Sequence, residues 1–187
     1  MRIIAGDMRG RVFLAPKTDK TRPTLDQVRE SLFNILRERI DEETTVLDLF
    51  AGSGALAFEA LSRGAGFAVL CDSGREAVKT LRQNIASLRL EDKTELYAIP
   101  YEAALQRMTK RFSLVFLDPP YELCDYEKML SLLRETGRLE EGALIAVERS
   151  VRHPLVLPCG FELLDERKYR DTVISFVTPC KTTDEKE

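Results

Sequence analysis

Two short segments hold residue types that could do chemistry together. Asp48-Leu49-Phe50-Ala51-Gly52-Ser53-Gly54 places a carboxylate and then two glycines at the end of an apolar run. Asp118-Pro119-Pro120-Tyr121 places a carboxylate, two prolines and an aromatic ring after another. Glycines let backbone turn tightly and approach a ligand that a Cβ would block, which suits a nucleotide-like cofactor. Consecutive prolines fix φ and remove two N–H donors, leaving a stiff loop with outward carbonyls. An amine on a nucleobase offers two N–H protons, and the Asp118 carboxyl and the Pro119 carbonyl could accept one each. Tyr121 could stack on the base, a contact worth about 1–3 kcal/mol. An aryl amine is a poor nucleophile, so orientation and local electrostatics must lower the barrier, and Asp118 need not be a strong base. The expected chemistry is methyl transfer to a nucleobase amine.

The elements that position these segments are legible in the pattern of apolar residues. Residues 2–5 and 11–15 read as two short strands with a polar turn between Gly6 and Gly10. Prolines 16 and 23 mark a loop. Thr24 reads as an N-cap, followed by apolar residues at helical spacing to about Arg39. From Thr45 onwards strands and helices alternate. Strands are expected at 46–50, 67–71, 95–99, 113–117 and 143–148, with helices at 55–62, 75–88, 102–108 and 126–135. Two last strands, 161–167 and 172–178, read as a hairpin. Repeated β-α units imply a parallel sheet covered by helices on both faces. Three units are expected: a basic extension over 1–40, a main domain over 41–180, and a frayed acidic tail over 181–187.

In such sheets ligands bind beyond the carboxyl ends of the strands, where strand order reverses. Gly52 and Gly54 should lie there, with Asp72 at the end of the next strand, able to accept both hydroxyl protons of a ribose. The pattern is ambiguous, because Gly52-Ser53-Gly54-Ala55-Leu56-Ala57 with Asp72 also fits a dinucleotide fingerprint. Asp48 favours S-adenosylmethionine over NAD, since a carboxylate there suits a cationic amino-acid group and repels a pyrophosphate. The longer lead from Asp48 to Ala51 also makes a wider loop than the dinucleotide turn.

Composition narrows the setting. The 187 residues carry a net charge of -3, and 44% are hydrophobic and 32% charged, as in an ordinary globular domain. Residues 1–40 nevertheless hold nine Lys/Arg against five acids, a local surface suited to phosphates. The four cysteines are scattered and the single histidine, His153, adjoins none of them in sequence, so neither a zinc site nor a disulfide framework is expected. No apolar run approaches the ~20 residues that cross a bilayer. A cytoplasmic protein is expected, with no membrane or metal partner.

The chain closely resembles the RsmD family of bacterial methyltransferases. The carriers are Arg2-Ile3-Ile4-Ala5-Gly6 with Gly10-Arg11, Thr21-Arg22-Pro23-Thr24, Glu30-Ser31-Leu32-Phe33-Asn34-Ile35-Leu36, the glycine segment, Glu59-Ala60-Leu61-Ser62-Arg63-Gly64-Ala65, Asp118-Pro119-Pro120-Tyr121 and Tyr169-Arg170-Asp171-Thr172. The resemblance implies a Rossmann-like class I S-adenosylmethionine-dependent methyltransferase fold. Its seven-stranded α/β sheet would be mostly parallel, with one of the seven strands antiparallel, and would carry an N-terminal β-hairpin and helix. It implies modification of a guanine N2 amine in small-subunit (16S) rRNA, within a ribosomal particle, releasing S-adenosylhomocysteine. Asp118, Pro119, Pro120 and Tyr121 would form the catalytic loop. The cofactor would meet Asp48, Ala51, Gly52 and Gly54, then Asp72, Ser73, Glu102 and Asp118. Arg9, Arg11, Arg22 and Thr24 would meet RNA. Relatives place an aspartate after the third strand, where this chain has Glu102; either Glu102 or a backbone group takes the adenine amine. Asp72 stands where glutamate is commoner. Two alternatives stay open: a DNA adenine-N6 or cytosine-N4 methyltransferase, and a non-catalytic rRNA-binding assembly factor.

Overall fold

Strands apolar on both faces must be covered on both, and the central runs around Leu47, Val69, Val115, Ile145 and Val177 are of that kind. The computed structural model describes residues 1–15, 23–120 and 123–180, the side chains of 23–26 excepted. The elements run α1 (Pro23–Ile35), β1 (Thr45–Asp48), α2 (Ala55–Ser62), β2 (Phe67–Cys71), α3 (Arg75–Leu88), β3 (Thr94–Tyr97), α4 (Tyr101–Arg107), β4 (Phe112–Leu117), α5 (Tyr126–Glu135), β5 (Leu139–Ser150), β6 (Phe161–Tyr169) and β7 (Thr172–Pro179). A 3₁₀ turn, Leu36–Arg39, extends α1.

The strands form a seven-stranded sheet in the order β3-β2-β1-β4-β5-β7-β6. β1 to β5 pair in parallel, while β7 runs antiparallel to both β5 and β6. The expected single antiparallel strand is therefore β7. Side chains alternate between two cores. Val46, Leu114 and Phe116 face the layer holding α1, α2 and α3. Leu47, Val115 and Leu117 face the layer of α4 and α5. Crossovers change face between β3 and β4, so the strand order reverses between β1 and β4, and the crevice opens at their carboxyl ends.

The N-terminal arms differ from the expected pair of strands. They meet antiparallel through one bridge, Arg2–Val12, with Ile3 N–H donating to Arg11 C=O and Phe13 N–H to Met1 C=O. Several other donors of the arms are drawn to α2 instead. The carboxylate of Glu59, 1% exposed, accepts the N–H groups of Ile4 and Ala5 and pairs with Arg63 at 2.9 Å. Ser62 Oγ donates to Ala5 C=O and accepts from Met8 N–H. Asn84, fully buried, exchanges bonds with the backbone of Leu14 and donates to Ser53 C=O, tying this segment to the glycine loop. Ile3, Phe13, Leu32, Phe33 and Leu36 belong to the same core as Val46 and Phe116, so residues 1–15 and α1 pack directly on the sheet. Helix α1 starts at Pro23, which places Thr24 inside its first turn rather than at the cap; proline is favoured at that first position because its missing N–H would be unpaired anyway.

Candidate active site

The carboxyl ends of the strands present a row of acids. Asp48 ends β1, Asp72 follows β2, Asp118 follows β4 and Glu148 lies near the end of β5. A cleft of about 780 Å³ opens over them. On the β1, β2 and β3 side it is lined by Phe50, Asp72, Ser73, Gly74, Pro100, Tyr101 and Glu102. On the β4, β5 and β7 side the lining is Pro119, Pro120, Leu123, Tyr126, Glu148, Arg149, Ser150 and Thr172. Asp118, at the reversal of strand order, stands between the two.

Of the residues read as cofactor contacts, Asp72, Ser73, Glu102 and Asp118 line the cleft, whereas Asp48, Ala51, Gly52 and Gly54 do not. Asp72 braces the rim: Oδ2 accepts Gly52 N–H at 2.9 Å and Oδ1 accepts Gly74 N–H at 2.8 Å. Each oxygen keeps lone-pair capacity for a further donor. Glu102 is paired with Lys128 at 3.1 Å on the outer lip. Its carboxyl lies below the ordinary range because its own backbone N–H and Lys128 outweigh the opposing effect of partial burial, the largest single influence.

Gly54 serves a different purpose from the one expected. A Cβ on Gly54 would lie 2.4 Å from the Phe58 ring, and its φ of +85° disfavours any side chain. Gly54 is thus glycine because the turn packs onto α2 and the core. Close approach of a ligand is not what excludes a side chain there. Asp48 is buried at 2% exposure beneath this turn. Burial, then Asp118, push its carboxyl up to about 7, while the Ala57 N–H of α2 pulls the other way. Asp118 is exposed to the cleft yet surrounded by protein on its other sides, and that enclosure pushes its carboxyl up to about 6.

This electrostatic setting bears on which of the two cofactors fits. A pyrophosphate needs free N–H groups at a helix N-terminus. Here the start of α2 already faces the Asp48 carboxyl, with Asp72 and Asp118 close enough to raise its pKa. A ligand with a positively charged centre fits such a site, and a dianion does not. The volume also suits a ligand of nucleoside size. Among the described residues no group of His, Cys, Asp and Glu could hold a metal ion.

Comparison with known proteins follows the same line. A family model described as Conserved hypothetical protein 95 matches residues 1–178. The ribosomal RNA small subunit methyltransferase D of Escherichia coli (strain K12) is 38% identical over 168 residues, 89% of this chain and 84% of that protein. The protein of the same name from Haemophilus influenzae is 37% identical over 172 residues, 89% of this chain and 88% of that one. The chain belongs to the RsmD family. A solved structure of yhhF, a proposed methyltransferase of Escherichia coli, superposes with a TM-score of 0.86 at 33% identity, covering 96% of this chain and 98% of that one. The sheet is that of the Rossmann-like class I methyltransferases, and this RsmD-family chain keeps it whole.

The remaining expected site residues are spread more widely. Arg9 and Arg11 are exposed on the N-terminal arms, and Arg11 donates to Leu88 C=O at the end of α3. Arg22, the Thr24 side chain and Tyr121 lie outside the described residues. Glu148 was not singled out in the sequence, although its strand was. Burial, then Asp118, push its carboxyl up to about 8. Its place at the carboxyl end of a strand was the signal that could have found it. No helix among the described residues is long and apolar enough to cross a membrane.

Proposed function

We propose that this chain transfers a methyl group from S-adenosylmethionine to the exocyclic N2 amine of a guanine in small-subunit rRNA. The observation that carries the reading is Asp118, set between the two sides of one acidic cleft at the reversal of strand order. The cofactor would supply an electrophilic methyl group on a cationic sulfur. Asp72 would take the ribose hydroxyls, with Ser73 beside it and Glu102 toward the adenine. Asp48, Ala51, Gly52 and Gly54 would shape the floor, where the buried Asp48 favours positive charge. Asp118 and the Pro119 carbonyl would each accept a hydrogen bond from the target amine, fixing its nitrogen in line for attack; one proton would leave after the methyl group has bonded to nitrogen and the thioether has departed. Pro120 stiffens that loop, and Tyr121 would stack on a base turned out of its helix. The exposed Arg9 and Arg11, with Arg22 and Thr24, would hold RNA phosphates. The names of the relatives support rRNA as the substrate.

The test is transfer of labelled methyl from S-adenosylmethionine to small ribosomal subunits, and to their free RNA, lacking the modification. The expected product after digestion is N2-methylguanosine. Equal transfer to bare duplex DNA, or label recovered in methylated adenine or cytosine, would overturn the assignment.

A further inference from the structure

We propose that Glu148 is the residue that recognises the target base, accepting the N1–H of guanine beside the N2 amine held by Asp118. The inference rests on the guanine-N2 reading above and adds the group that tells this base from others carrying a similar amine.

β4 and β5 are parallel, with Leu117 opposite Val147. Asp118 and Glu148 follow these two residues in the chain, and their carboxyls lie close enough for Asp118 to raise the pKa of Glu148. Both line the cleft, and Glu148 lies on the far side of Asp118 from Asp72. Guanine presents N1–H and N2–H as neighbours on one edge, and two adjacent acceptors at adjacent strand ends match that pair.

Arg149, the neighbour of Glu148 in the chain, is committed elsewhere: Nε donates to Ser175 Oγ at 3.1 Å, one terminal nitrogen to His153 C=O at 3.1 Å, and the other to Glu166 Oε1 at 2.7 Å. No described residue hydrogen-bonds the Glu148 carboxyl, which is partly buried and crowded by Asp118. A polar group kept in a cleft without an internal partner is costly unless a ligand supplies one. Burial and Asp118 raise its pKa, and a donor such as guanine N1–H brought against it favours the ionised carboxylate, which accepts from N1–H and has no proton to offer an acceptor at N1.

The walls around it complete the subsite. Pro119, Leu123 and Tyr126 are apolar or aromatic and could cover the faces of a planar base. Specific readout then falls to the few polar groups there. A site built around a hydrogen bond rejects analogues lacking it, because its own group is left unpaired.

The experiment compares wild type, Glu148→Ala and Glu148→Gln on two RNAs. One carries guanosine at the position identified by product mapping, and the other carries 2,6-diaminopurine there. The second base keeps the N2 amine but has an acceptor at N1 in place of N1–H. Wild type is expected to favour guanosine by at least ~10-fold in kcat/KM. Glu148→Ala should lower kcat/KM on guanosine by about 10- to 100-fold and shrink the preference to a few-fold, with S-adenosylmethionine affinity unchanged. Glu148→Gln, which retains a carbonyl acceptor, should recover much of the loss. The same preference in wild type and Glu148→Ala would overturn the inference even if the variant were slower, since a merely structural role lowers both rates together. No transfer by wild type to guanosine RNA would overturn the guanine-N2 reading itself, a failure visible before any variant is made.

Discussion

Asp118→Ala is expected to lower single-turnover methyl transfer by about 10²–10³-fold while S-adenosylmethionine binding stays within a few-fold of wild type. The asymmetry follows from where the side chain stands. Asp72, Ser73 and Glu102 remain on the cofactor side of the cleft, and Asp72 goes on bracing Gly52 and Gly74. What would disappear is the acceptor proposed to face the target amine, whose positive charge develops only as the new bond forms. The acceptor role also sets a direction with pH. The ionised carboxyl is the better acceptor, so transfer should fall as pH drops through about 6, where burial holds this group. Rapid-quench transfer and equilibrium dialysis on the same preparation read both quantities. Full activity in Asp118→Ala would remove the residue from the mechanism, and parallel loss of binding would move it wholly to the cofactor.

Asp48→Asn should stabilise the ligand-free protein at pH 8 by about 3–4 kcal/mol. Asp48 is 2% exposed, and its carboxyl moves from an ordinary 3.8 to about 7, first because it is buried and then because Asp118 lies near. Between those values the folded state holds a proton that the unfolded chain has released. The stability Asp48 contributes is therefore fully present below pH 3.8 and is lost as pH rises through about 7. Asparagine keeps the shape and can still accept from the Ala57 N–H, but carries no charge to bury. Thermal unfolding should show a gain on the order of 10 °C at pH 8 and little change at pH 4. The same variant should gain less from S-adenosylmethionine than wild type does, because a cationic ligand relieves crowding among Asp48, Asp72 and Asp118. Equal stabilisation of both proteins by the ligand would contradict this account of the acidic floor.

Much of this arrangement is readable without coordinates, for identifiable reasons. β1, β2 and β4 are short apolar runs that each stop at or beside an aspartate, so their order along the chain already places Asp48, Asp72 and Asp118 at strand ends. The single antiparallel strand, β7, follows from the terminal hairpin. Other features depend on who the neighbours are. Gly54 looks like a ligand-approach glycine until the Phe58 ring is found against it. Glu59, within an apolar helix, gives no sign that it will collect the N–H groups of Ile4 and Ala5. That capture is why the N-terminal arms form one bridge where two strands were expected. Glu148 lies near the end of one apolar strand and Asp118 follows another, yet only the pairing of β5 with β4 brings the two acids near each other. Several motif segments carrying the family resemblance prove to be each other's partners. Ala5 and Met8 bind Ser62, and Ser31 meets Tyr169 at 2.5 Å.

The proposed reaction of this cleft is methylation of the N2 amine of one guanine in small-subunit rRNA. Nucleoside mass spectrometry of that rRNA, from cells with and without the gene for this chain, tests it most directly. The account predicts that one N2-methylguanosine disappears with the gene, returns with the wild-type gene, and does not return with Asp118→Ala. An unchanged N2-methylguanosine content in cells lacking the gene would contradict it.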